Sequence, residues 1–329
     1  MIATSDDIEA FVPRRGLRSA HLQTLAGALF PPRTRLPQPE RRLVRVADGV
    51  QVLALCNWQP DRASSLTAII VHGLEGSSES AYVIGTANKA WAAGMNVVRM
   101  NVRNCGGTER LGPTLYHSGL SADVGEVARE LISSEHLGRI ALVGFSMGGN
   151  QVLKLAGEWG SDAPAQLRAV AAISPGIDLA ASADAIHRSS NRLYEWNFLR
   201  TLRRSVRRKA RVFPGQFDVP GLRRLRSLRG FDDAVTAKHW GFAGADDYYA
   251  RASASPLLDR IEVPTLVIHS TDDPFVIITP ATRERLLRNP KIRYVETSRG
   301  GHCAFLAGGR EYDGRWAERQ VVRFFSGVG

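Results

Sequence analysis

Residues 139–158 read RIALVGFSMGGNQVLKLAGE. The opening run is short, apolar and strand-like, whereas 149–158 carries apolar residues at helical spacing. Between them, Gly144-Phe145-Ser146-Met147-Gly148 matches the GxSxG turn, in which a strand passes sharply into a helix and lifts a serine hydroxyl into the open. The glycines matter sterically, because strand and helix can pack closely only where residues beside the turn lack bulk. Ser146 itself is forced into an unfavourable backbone conformation. Strand before and helix after favour a nucleophile over the plain alternative of a glycine-rich turn with an incidental serine.

Working outward, apolar runs alternate with helical patterns. Segments 43–47 and 50–58, joined by Asp48-Gly49, read as an antiparallel hairpin, since Asp-Gly supplies the positive φ angles of a tight turn. This hairpin is expected at the sheet edge. Buried strands are expected at 67–72, 95–101, 139–144, 169–174, 265–270 and 292–296, with helices at 80–93, 121–134, 149–158, 279–287 and 315–325. Eight strands, most of them linked through helices, predict an α/β fold with a mostly parallel, doubly wound sheet. Residues 1–40 form a lead-in on the core, 41–177 and 257–329 form the core, and 178–256 form a cap inserted between the sixth and seventh strands.

Sites in such sheets lie at the carboxyl ends of strands. A serine nucleophile needs a base, and the chain order for this turn is serine, then acid, then histidine. Ser270-Thr271-Asp272-Asp273-Pro274 follows the seventh strand and offers the acid. Asp273 has the preferred spacing from Ser270, with Asp272 as its adjacent alternative and Asp178, after the sixth strand, as a third candidate. His302, in Arg299-Gly300-Gly301-His302-Cys303, follows the last strand and is the candidate base. His21, His117, His136, His187, His239 and His269 are read as structural or exposed. Cys303 is read as packing, because no sharp strand-to-helix turn surrounds it. An oxyanion hole needs two backbone N–H donors. Met147, just after the nucleophile, offers one, and Leu74 in His72-Gly73-Leu74-Glu75-Gly76 offers the second, with His72 bracing that loop. The resulting chemistry is acyl transfer through Ser146, His302 and Asp273, with no metal or organic cofactor required.

His21-Leu22-Gln23-Thr24, His72-Gly73-Leu74-Glu75-Gly76, Asn101-Val102-Arg103-Asn104-Cys105-Gly106-Gly107, Gly144 to Gly149, Asp272-Asp273-Pro274 and Gly300-Gly301-His302-Cys303 together resemble the YheT-like α/β hydrolases. That resemblance spans nearly the whole chain. It implies the α/β-hydrolase fold, with Ser146, Asp273 and His302 as the triad. It also implies action on acyl esters, with relatives that cleave medium-chain fatty acyl esters or phospholipids or that make ethyl esters. The expected activity is therefore that of a serine carboxylesterase on short to medium-chain esters. An acyltransferase or phospholipase using the same triad, and a non-catalytic membrane-surface binding protein, are the alternatives.

The chain has 329 residues, is 44% hydrophobic and carries a net charge of +11. No stretch reaches the roughly 18 to 20 continuous apolar residues of a membrane span. Acids near the start argue against a signal peptide. Cys56, Cys105 and Cys303 form neither a metal pattern nor a disulfide framework, so a reducing cytoplasm is expected. The positive charge is local: eleven basic residues between Arg200 and Arg229 face the single acid Asp218, a net +10 in one window. Leu193, Trp196, Leu199, Leu202 and Val206 recur there at helical spacing with arginines between them, and Leu222, Leu225 and Leu228 repeat the pattern. The favoured reading is a cap helix with a solvated arginine face. Peripheral contact with an anionic membrane is the functional alternative. Aromatic residues are too few for a nucleic-acid stacking platform, so no nucleic-acid partner is expected.

Overall fold

A computed structural model of the chain describes residues 8–309 and 313–328. Residues 1–7 of the lead-in, with their acids, and 310–312 and 329 of the second core segment lie outside the described residues. β1 (Glu40–Ala47) and β2 (Val50–Asn57) pair antiparallel across Asp48-Gly49, with Gly49 at φ +65°. β1 starts earlier than the apolar run at 43, because Glu40 to Arg42 pair with Cys56 to Ala54 on the exposed edge. The other strands are β3 (Thr67–Val71), β4 (Asn96–Asn101), β5 (Ile140–Phe145), β6 (Leu167–Ile173), β7 (Thr265–Ser270) and β8 (Ile292–Thr297). They form one eight-stranded sheet in the order β1-β2-β4-β3-β5-β6-β7-β8, parallel from β4 to β8.

Helices cover both faces. α1 (Ala20–Leu29) precedes the sheet; α2 (Ala81–Ala92), α3 (Ser121–Ser134) and α4 (Met147–Trp159) link strands. Ala68, Ile70, Val143 and Phe145 point to the side of α2, while Ile69, Val71 and Leu142 point to the side of α3 and α4. This alternation buries β3, β4, β5 and β7 completely, as two covered faces require. The last strand departs from that expectation. β8 is mostly half-exposed, because it ends the sheet and has a neighbour on one side alone.

Between β6 and β7 lie α5 (Leu179–Ile186), α6 (Arg192–Val212), α7 (Leu228–Phe231), a π-helical turn Asp232–Ala237, α8 (Lys238–Trp240) and α9 (Ala245–Ala252). The core closes with α10 (Pro280–Arg288) and α11 (Trp316–Gly327). On α6, Leu199, Leu202 and Val206 are buried, but Leu193 and Trp196 are 82% and 58% exposed, so the apolar stripe outruns the surface it covers. Lys209, counted among the basic residues, is buried and donates to the carbonyls of Glu109 and Gly112. Leu222, Leu225 and Leu228 do not share one helix. A 3₁₀ turn Gly221–Arg224 ends before Leu225, and Ser227 caps α7 by accepting from Gly230 N–H.

Candidate active site

The strand register brings the site's loops together. Val71 pairs with Gly144, Phe145 with Ile173, and Ile173 with Ile268, so the carboxyl ends of β3, β5, β6 and β7 lie side by side. Ser146 sits between β5 and α4 at φ +54°, ψ −116°, a region that L-residues rarely occupy. A Cβ on Gly144 would lie 2.1 Å from Gly148 O, and one on Gly148 would lie 2.5 Å from Val71 O. Backbone occupies both spaces, which is why the turn tolerates glycine alone there. From Ile140 to Leu153 every residue is buried except Ser146.

His302 Nδ1 and Asp273 Oδ2 are 2.8 Å apart. Asp273 Oδ1 accepts from the N–H groups of Phe275 and Val276, so the buried carboxylate is oriented from two sides. Burial disfavours its charge, but His302 and these hydrogen bonds outweigh that and hold the carboxyl below its ordinary range. For His302, burial likewise opposes the imidazolium, and the adjacent Asp273 carboxylate more than offsets it, raising the imidazole above its usual value. Asp272 turns elsewhere, accepting from Ser270 Oγ and Gly301 N–H at 2.9 Å each. Asp178 accepts from Thr279 N–H and Thr282 Oγ1 at the start of α10. Among the three acids, Asp273 is the one that meets the histidine.

Ile173 O links the histidine loop to the serine. It accepts from Ser146 N–H at 2.9 Å and from Cys303 Sγ at 3.7 Å, and Cys303 Sγ is in turn 3.6 Å from His302 Nε2. No hydrogen bond joins Ser146 to His302 among the described residues, a looseness common before substrate binds. Cys303 is buried and faces that carbonyl. The N–H groups of Leu74 and Met147 have no acceptor among the described residues, whereas Gly73 N–H is taken by Tyr82 Oη and Glu75 N–H by Tyr116 Oη. His72 is fully buried, with Nδ1 against Gly73 O and Nε2 accepting from Val102 N–H. Burial pushes it down to about 4, so it braces the loop as a neutral ring.

Sequence reasoning missed three supports. Tyr82 holds Gly73 and stacks on Phe145. Thr24 Oγ1 accepts the His302 N–H at 2.9 Å. Asn104 lines the cavity beside Ser146 together with Glu75 and Tyr116. Only Thr24 and Asn104 stand in motifs singled out beforehand; Tyr82 lies in none. The cavity, about 150 Å³, is otherwise walled largely by cap side chains such as Leu179, Ile186, Phe198 and Leu202.

The family described as the alpha/beta hydrolase fold matches residues 69–308. Over 314 residues the chain is 33% identical to the Escherichia coli protein named "Putative esterase YheT", covering 94% of this chain and 91% of that one. It is 30% identical over 280 residues to the human "Phospholipase ABHD3", covering 82% of this chain and 68% of that protein. Among solved structures, the Pyrococcus furiosus esterase Pf2001 superposes with a TM-score of 0.59 at 17% identity, over 91% of this chain and 100% of that one, a likeness of fold. The chain therefore belongs to the α/β-hydrolase fold family and, within it, to the YheT-like group of esterase-type proteins.

Proposed function

We propose that the protein is a serine carboxylesterase that cleaves short to medium-chain acyl esters through an acyl-enzyme on Ser146. The observation that carries this reading is the Asp273–His302 pair, set beside a strained, accessible Ser146 and two N–H groups without acceptors among the described residues. Ser146 Oγ attacks the ester carbonyl while His302 Nε2 takes its proton. Asp273 keeps the proton on Nδ1 and balances the imidazolium. Leu74 and Met147 N–H stabilise the oxyanion, each such donor being worth roughly 3 to 4 kcal/mol in the transition state. His302 then protonates the departing alcohol, and water activated by the same ring releases the acid. An apolar cavity of about 150 Å³ is large enough for benzene, hence for an acyl chain of about six carbons.

Hydrolysis of p-nitrophenyl butyrate tests the proposal. Ser146→Ala and His302→Ala are expected to abolish it, and Asp273→Asn to lower kcat by on the order of 10⁴-fold. Full activity in either alanine variant overturns it. With ethanol present, butyric acid is expected as the main product; ethyl butyrate as main product would make the same acyl-enzyme an acyltransferase.

A second reading, on where the enzyme works, is favoured by α6. Arg204, Arg207, Arg211, Arg223, Arg224 and Arg226 have no carboxylate partner among the described residues, whereas Arg208 pairs with Glu109 and Arg229 with Asp184. Exposed Leu193 and Trp196 precede these arginines. Such a face suits anionic phospholipid. Salt-sensitive binding to phosphatidylglycerol vesicles tests it.

A further inference from the structure

One group of polar side chains in the cavity has no part in the acyl-transfer steps. The loop after β4 is folded so that Asn104, at φ +63°, reaches inward. Arg103 clamps Asp123 through two bonds of 2.6 and 2.5 Å, and Asn101 Oδ1 accepts from Ser78 N–H. A Cβ on Gly106 would lie 2.1 Å from Asn101 Oδ1, so that turn is equally constrained. Asn104 is 2% exposed, donates from Nδ2 to Ser205 Oγ at 2.7 Å, and its carbonyl oxygen has no partner among the described residues. A buried amide atom without a partner is costly in a folded protein.

Glu75, in the loop after β3 that also carries Leu74, lines the same cavity. Its backbone is held at φ +53°, and its Oε1 accepts from Tyr116 Oη at 2.7 Å. Burial pushes its carboxyl upward. A carboxylate offers about four acceptor positions, so the bonds from Tyr116 and Ser205 leave room for another. Exchanging the amide oxygen and nitrogen of Asn104 does not remove the vacancy. It turns an unpaired acceptor into an unpaired donor. A hydroxyl group satisfies either arrangement with its single hydrogen: it donates to Asn104 Oδ1 in the first, and in the exchanged one it accepts from the Asn104 amide nitrogen and donates to the Glu75 carboxylate.

We infer that Glu75 and Asn104 form a subsite for a free hydroxyl group carried by the ester substrate. The inference rests on the esterase reading and narrows its substrate class to hydroxylated esters. The hydroxyl can belong to the alcohol half, as in a partly acylated polyol, or to the acyl half, as in a hydroxy-acid ester.

The test compares kcat/KM of the wild-type protein for glyceryl monobutyrate, ethyl 3-hydroxybutyrate, ethyl butyrate and butyrylcholine. At least one hydroxylated ester is expected to exceed ethyl butyrate by about tenfold or more, and which one does so assigns the hydroxyl to the alcohol or the acyl half. In Glu75→Gln and in Asn104→Gly, a change that tolerates the positive φ, this ratio is expected to collapse towards one. Because the ratio is internal to each variant, partial loss of folded protein does not affect it. Hydrolysis of p-nitrophenyl butyrate through Ser146 without any hydroxyl preference overturns the inference and leaves the esterase reading standing; it is the result expected if water alone fills the site. A preference that survives both substitutions also overturns it. So does butyrylcholine outrunning every neutral ester, which would make the subsite one for a cation. Inactivity towards every ester removes both readings.

Discussion

Asp232 is an acid facing the cavity beside Ser146 from within a π-helical turn, and its surroundings oppose its charge. Its two oxygens accept from Thr236 Oγ1 and Tyr249 Oη, each at 2.8 Å, but burial dominates and pushes the carboxyl up to about 6. In the unfolded chain it titrates near the ordinary value of about 3.9. A folded value above the unfolded one means that its contribution to stability is fully present below about pH 4 and is lost as pH rises through about 6. Asp232→Asn is therefore expected to unfold at higher denaturant than wild type at pH 8. The gain, allowing for some remaining solvent contact, is on the order of 2 kcal/mol, and the gap should close towards pH 4. Equal gaps at both pH values in chemical denaturation would refute this. His302 and Asp273 behave differently, although Asp273 is buried and His302 nearly so, because each is the other's counter-charge.

At the scale of the element, α1 acts as a brace for the histidine loop. Gln23 clamps Leu306 by accepting its N–H at 2.8 Å and donating to its carbonyl at 3.0 Å, and Thr24 takes the N–H of His302. Gly301, at φ +59°, lies so close that a Cβ would sit 2.5 Å from Ala20 O. Helix and loop thus fit only as a pair. Thr24→Val keeps the volume but leaves the His302 N–H unpaired, a loss of about 1 to 3 kcal/mol for a buried group. We expect kcat for p-nitrophenyl butyrate to fall about tenfold with KM little changed, since the substrate cavity does not include Thr24. An unchanged kcat alongside a lowered Tm would make α1 a purely structural support.

For the whole molecule, the asymmetry of charge is the dominant surface property. Lysine and arginine number 43 against 32 acids, and the window from Arg200 to Arg229 by itself carries a net +10. His21 on α1 stacks on Tyr194 of α6 and bonds to its hydroxyl at 3.1 Å, joining the two helices that carry exposed Leu22, Leu25, Leu29, Leu193 and Trp196. Phe275 touches both Tyr194 and the His302 ring, so this face borders the site. Each arginine near an anionic surface contributes about 1 kcal/mol, and salt screens it over about 8 Å at physiological strength. Binding to phosphatidylglycerol vesicles should weaken at least tenfold in an Arg204→Gln, Arg207→Gln, Arg211→Gln variant, and also in Leu193→Ser, Trp196→Ser. Hydrolysis of soluble p-nitrophenyl butyrate should stay as it was. Equal binding to phosphatidylcholine vesicles would sink the electrostatic part.

What could be read along the chain was what a few neighbouring residues decide. The Gly-x-Ser-x-Gly turn, the Asp48-Gly49 hairpin and the buried strands were legible because local sterics and side-chain periodicity operate over a handful of residues. Asp273 and Asp272 are adjacent, so spacing could only prefer one; the fold separated them by turning one carboxylate to His302 and the other to Ser270 and Gly301. Leu193 and Leu199 fit one helical stripe equally well, yet only the second found a surface to cover. Glu75 and Asn104 were visible as motif letters but not as a pair. Both line one cavity because two loops sit at the ends of neighbouring parallel strands, and nearness across such a distance in sequence is set by how the sheet is wound, which no short stretch encodes.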